Sequence, residues 1–218
     1  EMFQHIKESA QKTTRELAVE RGACPDDDSC TVRNAHLLAI APNASSSIIC
    51  GNTSPSIEPF RANAYTQKTK SGSHLHKNKY LEKVLDQYGA NDDDTWKSIV
   101  ANKGSVQHLN MLTPHEKEVF KTAVEINQSW IVEHASMRQE FVCQSQSVNL
   151  FFTMPKATEP QSVHDEYLQY VNDVHWYAMN KLKSLYYFRS DAARNAENVN
   201  VKVQRVKLED VECLSCEG

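Results

Sequence analysis

Apolar side chains recur at helical spacing over residues 2 to about 21, where Phe3, Ile6 and Leu17 are separated by charged positions. Residues that repeat every three to four positions lie on one face of a helix, so this pattern predicts an amphipathic helix. Gly22 suits the end of that helix, because glycine readily adopts the conformation that terminates one.

Three short apolar runs predict strands: residues 36–41 (HLLAIA), 148–152 (VNLFF) and 185–188 (LYYF). The first two have the length and composition of buried strands, and the third is a short aromatic strand. Residues 51–75 are rich in Gly, Ser, Thr, Asn and Pro. This composition predicts an extended loop, with one strand near residues 64–68.

Further helices are predicted in the second half of the chain. Residues 77–101 are mostly helical in pattern, with a break near 89–94. Thr113, Pro114 and Glu116 form the signature of a capping box with proline at the first helical position. The apolar positions that follow continue this helix to about residue 139.

Strands that alternate with helices favour an α/β sheet or barrel. Another helix is predicted to begin at Ser162 or Asp165, before the aromatic strand. Three or four strands are too few to close a barrel, and their open edges require another polypeptide segment. We therefore expect residues 1–195 to be part of a larger α/β sheet or barrel and residues 196–218 to be a flexible tail.

Composition narrows the class of protein. The chain has 218 residues and a formal net charge of −4, with no long basic face that would indicate nucleic-acid binding. The sequence contains no run of 18 apolar residues, so no membrane span is predicted. The beginning of the chain lacks the apolar stretch of a signal peptide, so a cytoplasmic location is the expectation. Glu1 stands before Met2, which suggests either a piece of a longer protein or a separately encoded piece that carries an extra residue.

The first candidate site is the turn after the first strand, which is made of small polar residues. Consecutive backbone N–H groups in such a turn bind phosphate, and serine hydroxyls add donors. An ordinary surface turn is the alternative, because serine-rich turns are common. The residues concerned are Asn43, Ala44, Ser45, Ser46 and Ser47.

The second candidate is Tyr186 and Tyr187. An aromatic strand is most often part of a core, but adjacent phenols also relay an oxidising equivalent if the proton leaves with the electron. Neighbours in a regular strand point to opposite faces, so a relay requires the strand to end or bend here.

The third candidate is the pair Cys213 and Cys216, two residues from the end of the chain. A CxxC pair exchanges disulfides when one thiol has a lowered pKa. Half of a zinc site is the alternative, for which Cys24, Cys30 and His36 are the available ligands. The position on a tail favours disulfide exchange. His74, His76, His175 and the acidic run 92–94 are interpreted as structural or solvated.

An ordered set of segments runs along the chain. They are Glu16-Leu17-Ala18, residues 20–25 (ERGACP), Arg33-Asn34, residues 41–47 (APNASSS), residues 52–59 (NTSPSIEP), residues 144–150 (QSQSVNL), residues 185–187 (LYY) and the terminal cysteine pair. Together these segments resemble, in order, the large catalytic subunit of class I ribonucleotide reductases, and specifically its carboxy-terminal portion. The resemblance runs from about residue 10 to the end, and residues 60–115 are its least familiar part.

The resemblance implies part of a ten-stranded α/β barrel that reduces ribonucleoside diphosphates at the 2′ carbon. It implies that residues 43–47 hold the substrate diphosphate through backbone N–H groups, aided by the hydroxyls of Ser45 and Ser46. Tyr187 would receive the radical from the small subunit, and Tyr186 would pass it to a thiyl-forming cysteine. The cysteine pair of the tail would reduce the active-site disulfide and be reduced in turn by thioredoxin or glutaredoxin.

The resemblance also implies what this chain lacks. The thiyl-forming cysteine, the substrate-reducing cysteine pair and the sites for ATP and dNTP effectors belong to the amino-terminal part of the large subunit. The small subunit is expected to carry the dimetal centre and the radical, and this fragment is expected to bind no cofactor or metal. Two alternatives stay open: an interaction module that has lost catalysis, and a free-standing CxxC thiol oxidoreductase.

Overall fold

The computed structural model describes residues 1–26, 29, 31–51, 53–69 and 72–191. Over these residues the chain forms helices and two separate two-stranded sheets. In chain order the elements are α1 (Met2–Arg21), α2 (Ala44–Ile49), a 3₁₀ turn (Pro55–Ile57), β1 (Ala64–Thr69), β2 (Gly72–Lys77), α3 (Lys79–Gln87), α4 (Asp93–Ala101), α5 (Pro114–Val119), α6 (Gln128–Gln139), β3 (Leu150–Thr153), α7 (Gln161–Lys181) and β4 (Phe188–Asp191).

Helix α1 matches the predicted amphipathic helix and ends before Gly22, as expected. Its buried Thr14 holds the segment that follows, because the hydroxyl accepts hydrogen bonds from the amides of Arg33 and Asn34 at 3.1 and 2.9 Å. Lys7 on the same helix donates to the Glu140 carbonyl at 3.0 Å. The helix is thereby attached to the end of α6.

The predicted strand at residues 36–41 is reduced to an extended segment with one isolated parallel bridge, between Ile40 and Gln146. The reason is local. The amides of Leu37 and Leu38 donate to the Cys143 sulfur rather than to a neighbouring strand, and the proline after residue 41 offers no N–H.

The predicted strands at 148–152 and 185–188 form one parallel pair. Each strand begins two or three residues later than predicted, at Leu150 and at Phe188. Leu150 pairs with Phe188 at one end and Thr153 with Asp191 at the other. The Tyr186 amide donates to the Val148 carbonyl, and the Leu150 amide donates to the Tyr187 carbonyl. These bonds extend the pairing to the residues just before β4. Residues 144–153 therefore lie between the segment at 38–40 and β4, and all three run parallel.

A hairpin replaces the single strand expected in the loop at 51–75. β1 and β2 pair antiparallel, with Ala64 opposite Lys77 and Thr69 opposite Gly72. Helices α3 and α4 pack at its base, separated near the predicted break, around Leu81, Leu85, Trp96 and Ile99. This cluster forms one of the hydrophobic cores.

The capping box at Thr113 is confirmed, but the long helix predicted from it is wrong. Helix α5 ends at Val119, and a new helix begins after Asn127, whose side chain accepts the Ser129 amide at 2.9 Å. Between them the Ala123 amide donates to the Phe60 carbonyl at 2.8 Å. This tertiary contact satisfies a donor that a continuous helix would have used itself.

Helices α6 and α7 cover one side of the parallel sheet. Val132, Leu150, Phe152, Val174 and Ala178 form a buried cluster between them. Phe152 also stacks on Phe188 of β4, with ring centroids 4.9 Å apart. Within the described part of the chain, no helix is long and apolar enough to cross a membrane.

Candidate functional site

The loop at residues 42–47 is a turn followed directly by a helix, which the sequence pattern did not predict. Asn43 adopts a positive φ of 49°, and α2 begins at the next residue. The first amides of an α-helix have no acceptor within the helix, and here they belong to Ala44, Ser45 and Ser46. Backbone donors thus collect at the position predicted for a phosphate.

Ser56 fixes this loop from the other side. Its hydroxyl donates to the carbonyls of Ala41 at 3.2 Å and Pro42 at 2.9 Å. Ser56 is buried and has a φ of 51°, in the left-handed region. The Thr53 amide donates to the Ser47 carbonyl at 3.0 Å. The segment after α2 therefore folds back and holds both ends of the loop.

An open pocket of about 430 Å³ lies against the loop. Asn43, Ser46 and Ser47 line it together with Ile40 and Ser56. Its volume falls within the usual range for small-molecule sites. Three of the five predicted binding residues therefore border a space of suitable size.

Tyr186 and Tyr187 meet, as a relay requires. Their ring centroids lie 4.2 Å apart with the planes tilted by 54°. The side chains are 47% and 50% exposed, so neither belongs to the core. The regular strand begins only at Phe188, and this irregular start allows adjacent side chains to meet.

The neighbouring phenol also shifts the pKa of Tyr186. A hydrogen bond with Tyr187 is the main reason that the pKa of Tyr186 is raised, and the charge of Tyr187 and partial burial add to it. Arg189 opposes them and lowers the pKa of Tyr186. The guanidinium carbon of Arg189 lies 4.9 Å from the centroid of the Tyr187 ring.

A buried carboxylate and a buried amide lie between the loop and the tyrosines. Glu58 is 6% exposed and Asn149 is 3% exposed. The carboxylate of Glu58 accepts the Asn149 amide at 2.7 Å and the Asn149 Nδ2 group at 2.8 and 3.0 Å. This contact joins the segment after the loop to residues 144–153, the middle of the three parallel segments.

The two candidate sites border the same stretch of chain, residues 144–153. On one side, the bridge between Ile40 and Gln146 lies shortly before the loop. On the other side, counting from the pair of Leu150 and Phe188, Tyr187 lies level with Asn149.

Glu58 lies in the field of several arginines. Burial raises the pKa of Glu58, while the hydrogen bonds from Asn149 and the charges of Arg61 and Arg189 lower it, with a net rise. The pKa of Arg61 is lowered, first by burial and then by repulsion from Arg189. The carboxylate thus lies near two guanidinium groups that repel each other.

The terminal cysteines Cys213 and Cys216 lie outside the described residues, as does Cys30. The sequence assigned no role to Cys143. Its sulfur accepts hydrogen bonds from the amides of Leu37 and Leu38, each at 3.1 Å. Burial raises its pKa, but these amides and the charge of Lys183 outweigh burial, and the pKa is lowered overall.

Two of the residues interpreted as structural or solvated, His175 and Asp92, make local hydrogen bonds. The Nδ1 atom of His175 lies 2.8 Å from the Val171 carbonyl. Asp92 caps α4 by accepting the Thr95 amide at 2.8 Å. Among the residues that the structure covers, no group of three or more His, Cys, Asp or Glu side chains is placed to hold a metal ion.

Glu58 and Asn149 are the residues that sequence reasoning missed as a site. Both fall in segments quoted for the family resemblance, but neither received a role. Asn149 had one available signal, because it is a polar residue inside the apolar run VNLFF. A buried polar group requires a partner, and nothing in the sequence identifies Glu58, which is 91 positions away.

The parallel strands, covered by helices on one side and bordered by a polar loop, define a segment of an α/β barrel or sheet. Comparison with known proteins identifies it further. A family model described as "Ribonucleotide reductase, barrel domain" matches residues 27–188.

Curated relatives agree with that match. The chain is 43% identical to the putative ribonucleoside-diphosphate reductase large subunit of Frog virus 3 (isolate Goorha), over 100% of this chain and 36% of that protein. It is also 43% identical to the ribonucleoside-diphosphate reductase large subunit of Invertebrate iridescent virus 3, over 100% of this chain and 34% of that protein.

A solved structure agrees as well. The class Id ribonucleotide reductase alpha subunit of Actinobacillus ureae superposes with a TM-score of 0.69 and 38% identity, covering 88% of this chain and 33% of that one. The chain belongs to the family of ribonucleotide reductase large subunits, which confirms the predicted family and fold class. It spans about a third of the length of these relatives.

Proposed function

We propose that this chain takes part in the reduction of ribonucleoside diphosphates as a section of a ribonucleotide reductase large subunit. The observation that carries the proposal is the contact between Tyr186 and Tyr187, whose rings lie 4.2 Å apart at an exposed position. Membership of the reductase family supports it. The chain acts in an assembly with the remaining part of the large subunit and with the small subunit. This assembly is located in the cytoplasm.

The loop at residues 43–47 binds the diphosphate of the substrate. Anions are stabilised by unpaired amides at a helix start, and those of Ala44, Ser45 and Ser46 are in that position at α2. Ser56 holds the loop carbonyls away from the anion by donating to two of them. The pocket beside the loop leaves room for the rest of the nucleotide.

The tyrosine pair relays the oxidising equivalent. A phenol with a pKa near 10 carries its proton at neutral pH. When Tyr187 loses an electron to the small subunit, that proton therefore leaves as well, because the oxidised ring is strongly acidic. Tyr186 then gives an electron and a proton to Tyr187, whose ring centroid lies 4.2 Å from its own. The hole passes onward to a cysteine supplied by the remaining part of the subunit. The dimetal centre and radical of the small subunit supply the initial oxidation.

The cysteines of the tail complete the cycle. Cys213 and Cys216 exchange with the disulfide that reduction of the substrate leaves behind. Thioredoxin or glutaredoxin then reduces the pair. ATP and dNTP effectors act on the amino-terminal part of the subunit.

Reconstitution tests this function. The chain is combined with an upstream large-subunit polypeptide and the small subunit, and formation of deoxyribonucleoside diphosphate is measured. Tyr186→Phe and Tyr187→Phe should each abolish turnover and leave assembly intact, because phenylalanine has no phenol to oxidise. Tyr80→Phe, at an exposed tyrosine of α3, is the matched control and should keep full turnover. Full activity in either relay variant would contradict the proposal.

The alternatives give different results in the same experiments. An interaction module that has lost catalysis assembles without producing deoxyribonucleotide. A free-standing thiol oxidoreductase reduces a model disulfide as an isolated chain, and Cys213→Ser removes that activity. Family membership and coverage of only a third of the relatives favour the assembled reductase over both.

A further inference from the structure

A groove borders the segment that follows the loop at residues 43–47. It has a volume of about 350 Å³ and lies between that segment and helix α6. Trp130, His134 and Arg138 are spaced four positions apart, so they lie on one face of the helix. We call this space the α6 groove, and the residues that complete its lining include Ile57, Pro59 and Ile126.

Two large apolar side chains of the α6 groove are exposed to solvent. Ile57 is 54% exposed and Trp130 is 61% exposed. Such an arrangement is unfavourable in water, because apolar surface gains free energy only when it is removed from water. Exposed apolar surface with a polar rim marks interaction sites, and tryptophan and arginine are enriched in protein interfaces. The α6 groove thus has the composition of an interface.

The backbone at Ile57 is an independent sign of a function. Its φ is 59°, in the left-handed region, and that of Ser56 is 51°. A β-branched residue is disfavoured in this region, because its side chain crowds the backbone. Strain of this kind is concentrated at binding and functional sites. A strained isoleucine that is half exposed gains little from the described fold, so a contact with another polypeptide segment accounts for it better.

The rim of the α6 groove is basic. Arg138 is half-buried, and its Nε atom donates to the Gln146 Oε1 atom at 3.2 Å. Glu58 attracts Arg138, but over the part of the chain that the structure describes neither Arg138 nor the exposed His134 forms an ion pair. A guanidinium group binds a carboxylate strongly. The rim therefore suits a segment that carries an acidic residue.

The position of the groove beside the loop identifies its occupant. Ile57 lines both the α6 groove and the pocket next to the loop. In the proposed function, the remaining part of the large subunit brings a cysteine to the substrate held by that loop, so it comes close to Ile57. This chain spans 36% and 34% of two relatives, which leaves ample chain for that part. A second copy of this chain fits less well, because it would bring the same basic rim with it.

We propose that the α6 groove docks the remaining part of the large subunit. The docked segment places apolar side chains between Ile57 and Trp130 and a carboxylate against Arg138 and His134. This surface rests on the proposed function, because that function supplies the partner. It adds the face of the chain on which the two parts meet, which neither the tyrosine pair nor the loop defines.

Association with the upstream large-subunit polypeptide tests this surface. The full chain is titrated with that polypeptide in a calorimeter. Trp130→Ala should raise the Kd about tenfold or more, since a tryptophan buried at an interface contributes at least that much. Trp176→Ala is the matched control, because Trp176 is 59% exposed but lies on α7, outside the groove. The control should leave the Kd within about twofold. An unchanged Kd for Trp130→Ala, or an equal rise in both variants, would overturn the proposal.

Ile57→Asn separates docking from folding. Asparagine adopts the left-handed region more readily than isoleucine, so the Tm of the full chain alone should stay the same or rise by up to about 4 °C. The Kd for the upstream polypeptide should nevertheless rise on the order of tenfold, because the burial of an isoleucine side chain is lost. A fall in Tm, or an unchanged Kd, would contradict the role of Ile57 in docking.

Salt dependence tests the acidic contact. The Kd of the unaltered chain should rise with ionic strength, since salt screens charge pairs at an exposed rim. Arg138→Met keeps a long apolar side chain but removes the charge, so the salt dependence should become weaker. An equal salt dependence in both proteins would refute the contact between Arg138 and a carboxylate.

The remaining outcomes separate this surface from the proposed function. If the unaltered chain does not bind the upstream polypeptide, both are wrong. Unchanged binding by Trp130→Ala refutes the surface alone, and full turnover in Tyr187→Phe refutes the relay alone. Sedimentation of the chain by itself examines the other occupant. Self-association that Trp130→Ala removes would assign the groove to a second copy and overturn the proposal.

Discussion

The contact between Asn149 and Glu58 leads to a quantitative prediction about stability. Asn149→Leu keeps a similar volume but removes the two hydrogen bonds from Nδ2 to the buried carboxylate, at 2.8 and 3.0 Å. The backbone amide bond at 2.7 Å remains. Hydrogen bonds to a charged group contribute about 1.5–3 kcal/mol each, and the orphaned Oδ1 atom of Asn149 is relieved. We expect a net loss of about 2–4 kcal/mol.

Equilibrium unfolding in urea measures this loss. For a chain of this size it corresponds to a fall in Tm of roughly 5–15 °C. Asn180→Leu is the matched control, because Asn180 is exposed and donates to the Trp176 carbonyl of its own helix. That control should change the free energy of unfolding by less than about 0.5 kcal/mol.

The dependence on pH tests the cause. The pKa of Glu58 is raised by burial, and the Asn149 hydrogen bonds limit that rise. Their removal raises the pKa of Glu58 further, so the variant is penalised most where the carboxylate is ionised. The penalty should shrink as the pH falls through the raised pKa of Glu58, where both proteins carry the neutral acid. A loss below about 1 kcal/mol, or one that is equal at neutral and acidic pH, would refute the reasoning.

Three further predictions concern two glycines and Cys143. Gly104→Ala should destabilise the chain by about 2–4 kcal/mol, because φ is +82° and the new methyl group would lie 2.3 Å from a neighbouring side chain. Gly22→Ala, with a φ of +86° and nothing within 4 Å, should cost only the backbone strain of about 1–2 kcal/mol, which thermal unfolding would show. Cys143 should be alkylated with a pH midpoint below the ordinary thiol pKa, and Lys183→Met should raise that midpoint, as mass spectrometry would measure.

Local sequence signals succeeded where a single segment contained the whole cause. The helix from Met2 to Arg21 follows from spacing alone, and the capping box at Thr113 needs only residues three positions apart. The same reasoning failed after Val119. There the chain leaves the helix to make a contact with Phe60, and the helical pattern contains no trace of that contact.

The candidate site divides in the same way. Its tyrosines and its serine-rich loop were predicted because each group is contiguous in sequence and has a recognisable composition. Cys213 and Cys216 remain a prediction, since they lie outside the described residues. Glu58 was not predicted as a site residue because its partner Asn149 lies 91 positions away in the chain. A lone glutamate in a loop is ordinarily a solvated one.

The sequence by itself determined the family, the helices with strong periodicity and the chemical types present in the site. Those properties depend on residue identity and on neighbours a few positions apart. Tertiary structure alone decided that Tyr186 and Tyr187 meet, that Asn149 lies level with Tyr187, and that the buried carboxylate of Glu58 binds Asn149. Such contacts join residues far apart in the chain, and the energies that select them arise only when burial removes the competing water.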